Sequence, residues 1–245
     1  MKDIFIKHYR LYLMEALGLG LFMISACFFT AMMEHHYTAR HTAIPNNYTR
    51  LILIGAAMGS TALFIFYSPV TAPSGAHINP AVTLVYLRMG TISKTDAFFY
   101  IIFQVAGGTI AVYLMALFMG NLLTTAPVNY VVTVPGRNVP LLKAAFCELF
   151  ISFIMITMVL NTSANDRMKK YTRVFAAILV FTNVVIAGPI SGFGMNPSRS
   201  FASALPAHNF TAFWIYVFCP LAGMLGACEL YIFVDKNKIR RIRNT

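Results

Sequence analysis

Six long apolar stretches separated by short polar segments set the pattern of the chain: Leu11 to Met33, Leu51 to Thr71, Ala97 to Met119, Leu141 to Leu160, Val174 to Ile190 and Phe213 to Val234. Each comes near the ~20 residues that a helix needs to cross a hydrocarbon core. The pattern therefore predicts six spanning helices, the fifth the shortest. Two further stretches, Ile78 to Leu87 and Met195 to Leu205, stay apolar for only about ten residues, too short to cross, and read as re-entrant segments.

Each of these short stretches holds an Asn-Pro near its start. Ser74-Gly75-Ala76-His77-Ile78-Asn79-Pro80-Ala81 and Ser191-Gly192-Phe193-Gly194-Met195-Asn196-Pro197-Ser198-Arg199 share Ser-Gly, three residues and Asn-Pro. Asn is a strong N-cap and Pro is preferred at the first helical position, so each predicts a helix start at membrane depth. A second pairing supports the repeat: Glu15 sits early in span one and Glu148 early in span four. A carboxylate in lipid is costly and faces the bundle interior. These two acids are expected to support the re-entrant backbone rather than shuttle protons.

Three spans and one half-helix per half force the second copy to insert upside down, an inverted repeat with its working site near the midplane. The fold class is thus all-α membrane protein: six transmembrane helices plus two re-entrant half-helices. One transmembrane domain covers residues 1–245, with repeats at about 8–120 and about 140–235.

Composition agrees with this picture, at 58% hydrophobic and 11% charged residues with a mean hydropathy of +0.67. The net charge of +11 follows a topological rule rather than nucleic-acid binding: of the 19 Lys and Arg, all but Arg40, Arg50, Arg137, Lys143 and Arg199 fall on one side. Both termini are accordingly expected in the cytoplasm, in a plasma or bacterial inner membrane. Lys236 to Arg243 reads as an anchor near anionic lipid. The first apolar stretch is too long for a cleavable signal core and is expected to remain as span one.

Cys27, Cys147, Cys219 and Cys228 fall inside spans and read as small buried hydrophobes, with neither disulfide nor zinc spacing. Gly18, Gly20, Gly55, Gly59, Gly107, Gly108, Gly188, Gly223 and Gly226 suit close helix packing. Glu34, His35, His36 and His41 read as an exposed extracytoplasmic loop, and Asn47-Tyr48-Thr49 fits a glycosylation sequon. No nucleophile, base and orienting acid come together at membrane depth, so an enzyme is not expected; nor is a cofactor or metal.

With Ser-Gly-Ala-His-Ile-Asn-Pro-Ala-Val-Thr and Gly-Met-Asn-Pro-Ser-Arg-Ser-Phe at matched positions, the chain resembles the aquaporin family of major intrinsic proteins, from about residue 8 to 235. The resemblance implies a homotetramer with one narrow pore per subunit. It places Asn79, Pro80, Ala81, Asn196, Pro197 and Ser198 at a central constriction. It places Arg199, Phe193, Val184 and either Gly59 or Met58 at an outer selectivity filter. The backbone of Gly75, Ala76, His77, Ile78, Gly192, Gly194 and Met195 is expected to line such a pore. Each capping Asn is expected to keep its amide N–H for passing water, while the half-helix N-termini disfavour cations and protons.

Departures from the family pattern bear on solute choice. Val184 stands where water-selective members carry His, and Phe193 matches the aromatic of glycerol channels. Ser200, Ala204 and Tyr216 are more typical of the water group, and Ser198 replaces an expected Ala. The expected function is a passive channel for water and also for small neutral solutes such as glycerol, urea or ammonia. An aquaglyceroporin with little water preference is the alternative. A rival from another class, an ion-coupled secondary transporter, would need ionisable groups near the half-helices; only Glu15, Glu148 and Arg199 qualify. The polar loop Asn161 to Thr172 is the natural place for a cytoplasmic gate.

Overall fold

A computed structural model describes residues 2–234; the expected anchor Lys236 to Arg243 lies outside the described residues. Eight helices carry the fold. The spans are α1 (Lys2–Glu34), α2 (Asn47–Tyr67), α4 (Lys94–Met119), α5 (Leu141–Ser163), α6 (Thr172–Ser191) and α8 (Phe213–Val234). The half-helices are α3 (Pro80–Arg88) and α7 (Pro197–Ala207). All six spans are long and apolar enough to cross a membrane.

Helix ends differ from the hydropathy pattern where helix propensity or a local turn, not apolarity, decides them. α1 runs back to Lys2 because charged residues are good helix formers outside the lipid. α2 stops at Tyr67: Ser68 leaves the helix at φ −60°, ψ 130°, and Thr71 turns into a short 3₁₀ segment, Ala72–Ser74. The half-helices begin two residues later than the apolar stretches. Ile78 and Met195 belong to the irregular segments before them, at φ 43° and 49°.

Packing follows the repeat. α1 lies against α4 and α5 against α8, while α2 crosses α6 between the halves. The close approaches are made by glycines. A Cβ on Gly107 would sit 2.1 Å from the Ala16 carbonyl oxygen, and one on Gly223 would sit 2.2 Å from that of Leu149. Ala16 follows Glu15 and Leu149 follows Glu148, so the contacts bring α4 and α8 against the same turn of their partners. Each half-helix also reaches the opposite repeat, α3 packing on α8 and α7 on α4. The Arg88 guanidinium at the end of α3 pairs with both carboxylate oxygens of Glu229 in α8.

Candidate functional site

Two buried carboxylates hold the two re-entrant segments in place. Glu15 is fully buried and its Oε1 accepts from Ser74 Oγ (2.6 Å) and His77 N (2.9 Å). Its Oε2 accepts from Ile78 N (2.6 Å) and Gln104 Nε2 (2.7 Å). Glu148, also fully buried, accepts from Ser191 Oγ (2.6 Å), Gly194 N (2.8 Å) and Met195 N (2.6 Å). A hydroxyl closes each segment from the far side: Tyr100 donates to the Ser74 carbonyl (2.8 Å) and Tyr216 to the Ser191 carbonyl (2.6 Å). The irregular backbone has no helix or strand partner here, so the carboxylates satisfy amides that would otherwise be stranded in a dry interior.

This arrangement orients the carbonyls. In a planar trans peptide the N–H of one residue opposes the C=O of the residue before it. With the N–H groups of His77 and Ile78 on Glu15, the carbonyls of Ala76 and His77 point away from it; those of Phe193 and Gly194 likewise point away from Glu148. The segments need the left-handed region to do this. Gly75 and Gly192 take φ 88° and 82°, and Ala76 and Phe193 follow at 47° and 52°. The sequence suggests the glycines but not the four non-glycine residues with positive φ.

The capping asparagines meet. Asn79 Oδ1 accepts from Ala81 N (2.9 Å), and Asn196 Oδ1 accepts from Arg199 N (3.2 Å). Asn79 Nδ2 donates to the Met195 carbonyl (2.9 Å), and Asn196 Nδ2 donates to the Ile78 carbonyl (2.6 Å). One N–H of each carboxamide is therefore committed to the opposite repeat, which the sequence does not suggest, and the other remains as a donor. Pro80, Ala81, Pro197 and Ser198 start the half-helices behind these asparagines. Ser198 is 1% exposed and its Oγ has no hydrogen-bond partner among the described residues.

A cavity of about 950 Å³ passes both asparagines. At one end it is lined by Thr30, Glu34, Leu51, Pro127 and Val131, and at the other by Tyr86, Thr91, Lys169 and Arg173. Gly75 to Asn79 and Gly192 to Asn196 form one wall. Arg199, Phe193, Val184 and Met58 also face it. Gly59 instead faces α6, where an added Cβ would sit 3.0 Å from the Ala177 carbonyl oxygen and the Phe181 Cβ. Arg199 Nη1 is buried without a hydrogen-bond partner among the described residues.

The sequence motifs do not name the residues of the opposite wall. Phe22 and Ala26 of α1, Ile54 and Ala62 of α2, Met155 and Val159 of α5, and Ala176 and Val180 of α6 supply it. Its signal is the four-residue spacing Ile54, Met58, Ala62, Phe66 and Ala176, Val180, Val184, Gly188, one face of a helix. His77 lies in the lining with its ring stacked on Tyr86 at 4.6 Å and its Nδ1 3.2 Å from Thr83 Oγ1.

At the Glu34 end the loop histidines divide. His35 is buried, 3% exposed, with Nε2 3.2 Å from Thr125 Oγ1, contrary to the expectation of an exposed loop; His36 is exposed. Arg50 pairs with Glu34 (3.2 Å), donates to the carbonyls of Ile44 (2.8 Å) and Pro45 (3.1 Å), and bonds the Asn47 side chain. Asn47, the acceptor of the sequon, thus lies in the first turn of α2. The four cysteines are free, three of them buried.

Comparison with known proteins agrees with this geometry. The family model described as Major intrinsic protein matches residues 4–231. A probable NIP-type aquaporin of Nicotiana alata is 32% identical over 73% of this chain and 72% of its own. A probable TIP-type aquaporin of Nicotiana tabacum, RB7-5A, is 35% identical over 71% of this chain and 68% of its own. Among solved structures, the aquaglyceroporin from Plasmodium falciparum shares the fold with a TM-score of 0.77 at 19% identity, over 96% of this chain and 99% of that one.

Proposed function

The chain belongs to the major intrinsic protein family of multi-pass membrane channels, and from that premise we propose that it is a passive pore for water that also admits small neutral solutes such as glycerol, urea or ammonia. The observation that carries the reading is the pair of asparagine caps, bonded across the two repeats in the wall of one cavity. The free N–H of Asn79 and of Asn196 each offers a donor to a solute oxygen, and the carbonyls of Ala76, His77, Phe193 and Gly194 offer acceptors along the way. The apolar wall binds nothing, so a solute is held on one side only and moves on. Two half-helix N-termini, each worth roughly half a positive charge, converge on the same point and disfavour cations and protons.

Solute choice falls to the ring of Arg199, Phe193, Val184 and Met58. Three of its four members are uncharged and apolar, and the fourth offers a guanidinium N–H without a partner among the described residues. Such a ring passes a molecule with one hydrogen-bonding edge and one alkyl edge, which supports the glycerol-type alternative beside water. A transporter reading finds less support: the acids it would need already accept three or four hydrogen bonds each. The same proposal includes a homotetramer in the plasma or bacterial inner membrane, with both termini cytoplasmic.

The test compares osmotic flux of water, glycerol and urea in proteoliposomes holding the wild type or Val184→His. The expected result is water permeability well above empty vesicles in both, with glycerol and urea flux falling in Val184→His. Water flux equal to empty vesicles would overturn the channel; exclusion of glycerol and urea by the wild type would overturn the open filter.

A further inference from the structure

Two imidazoles at the Glu34 end of the cavity have no part in the pore. His36 Nδ1 stands 3.3 Å from His41 Nε2, with the rings at 89° and their centroids 4.8 Å apart. On its other side His41 Nδ1 lies 3.1 Å from the Met33 carbonyl oxygen. A carbonyl can only accept, so this bond puts the ring proton on Nδ1, and in the neutral ring Nε2 keeps its lone pair toward His36. A backbone carbonyl holding the far nitrogen is how metal-ligating histidines have their tautomer and ring direction set.

The spacing has a chemical meaning. A tetrahedral centre with metal–nitrogen bonds of about 2.0–2.1 Å places two ligand nitrogens about 3.3–3.4 Å apart, and the two facing nitrogens are at 3.3 Å. We propose that His36 and His41 form a binding site for a divalent transition metal of the class that prefers imidazole, such as Zn²⁺ or Cu²⁺, with water filling the other positions. The turn between them is prearranged: the Thr38 hydroxyl proton is shared between the Met32 carbonyl (2.8 Å) and the His35 carbonyl (2.9 Å), and its oxygen accepts from His41 N (3.2 Å). Arg40, the cation beside His41, is engaged with the Met32 thioether at 3.5 Å, and Glu34 is taken by Arg50. Among the described residues no group of three His, Cys, Asp or Glu side chains forms. The site is therefore a two-imidazole clamp tying the turn after α1 to the short helix Ala39–Ala43. It stands independently of which solute the pore carries.

The test titrates the full-length chain, free of any histidine tag, with Zn²⁺ by calorimetry. One Zn²⁺ per chain is expected, with affinity falling about tenfold or more in His36→Ala and in His41→Ala, and unchanged in His208→Asn. Electron paramagnetic resonance of bound Cu²⁺ is expected to register two imidazole nitrogens in the wild type and one in either single variant. Water flux retained by both variants would confirm that they fold. Wild-type affinity in the His36→Ala/His41→Ala double variant, or an unchanged nitrogen count in the single variants, would overturn the site.

Discussion

The segments leading into α3 and α7 are built alike and used differently. Both hang from a buried glutamate by a serine hydroxyl and two successive amides, both are closed by a tyrosine hydroxyl, and both end in an asparagine bonded to the other. The differences lie around this frame. Gln104 adds a fourth donor to Glu15 and a bond to Thr83 (3.1 Å); among the described residues no side-chain amide joins Glu148. His77 of the first segment is matched by Gly194 of the second, where a Cβ would meet Tyr216 at 2.6 Å. Only the second half-helix carries an arginine in its first turn, Arg199; that of the first, Arg88, stands at its far end. Duplication thus preserves the bonds that hold an irregular backbone in lipid, while positions free of that duty diverge.

Removing either acid is the strongest way to test the equivalence. Glu15→Ala and Glu148→Ala each strand at least three buried donors at roughly 1–3 kcal/mol apiece. Thermal unfolding in detergent is expected to register comparable, severe losses; a loss confined to one repeat would break the comparison. Next come Gly107→Ala and Gly223→Ala, which push a methyl onto a backbone carbonyl and should each cost about 1–3 kcal/mol.

Arg199→Val sharpens the functional asymmetry. Solute flux through proteoliposomes should become less selective with the fold retained, whereas Val82→Ala at the matching place in α3 should leave selectivity unchanged. Gln104→Leu removes a charge-assisted hydrogen bond that only the first repeat possesses. A loss of about 1.5–3 kcal/mol is expected in the same unfolding assay, and an unchanged melting temperature would show that the fourth donor is dispensable. The smallest effect belongs to Ser198→Ala, which deletes a buried hydroxyl that has no partner among the described residues and matches the residue type of Ala81. Stability should change by within about 1 kcal/mol, and water flux should not change.

Much of the architecture could be read along the chain because lipid admits few solutions. Long apolar runs become helices, an Asn-Pro inside oil is a helix start, and a glutamate in oil needs donors. Readings failed where the answer depended on a neighbour from elsewhere in the sequence. His35 looked like an exposed loop residue, but Thr125 of a distant connection receives it. The structure also gives Tyr216 a role that the sequence does not suggest: its hydroxyl serves the second segment as Tyr100 serves the first. Gly59 and Met58 could not be separated by counting, since one residue of loop length turns a helix by about 100°; packing against Ala177 and Phe181 assigns Gly59 to the helix contact and Met58 to the cavity.

By itself the sequence determined the number of spans, the two helix starts and the pairing of Glu15 with Glu148, because each follows from local cost: burial of apolar length, capping of free amides, and a charge that lipid does not tolerate. Tertiary structure alone decided which amide hydrogen of each asparagine stays free, which carbonyls face the cavity and which residues make its apolar wall. Those outcomes depend on groups more than a hundred residues apart, such as Asn79 and the Met195 carbonyl, meeting within hydrogen-bond reach. No local pattern encodes that meeting, since it exists only once the two halves are packed against each other.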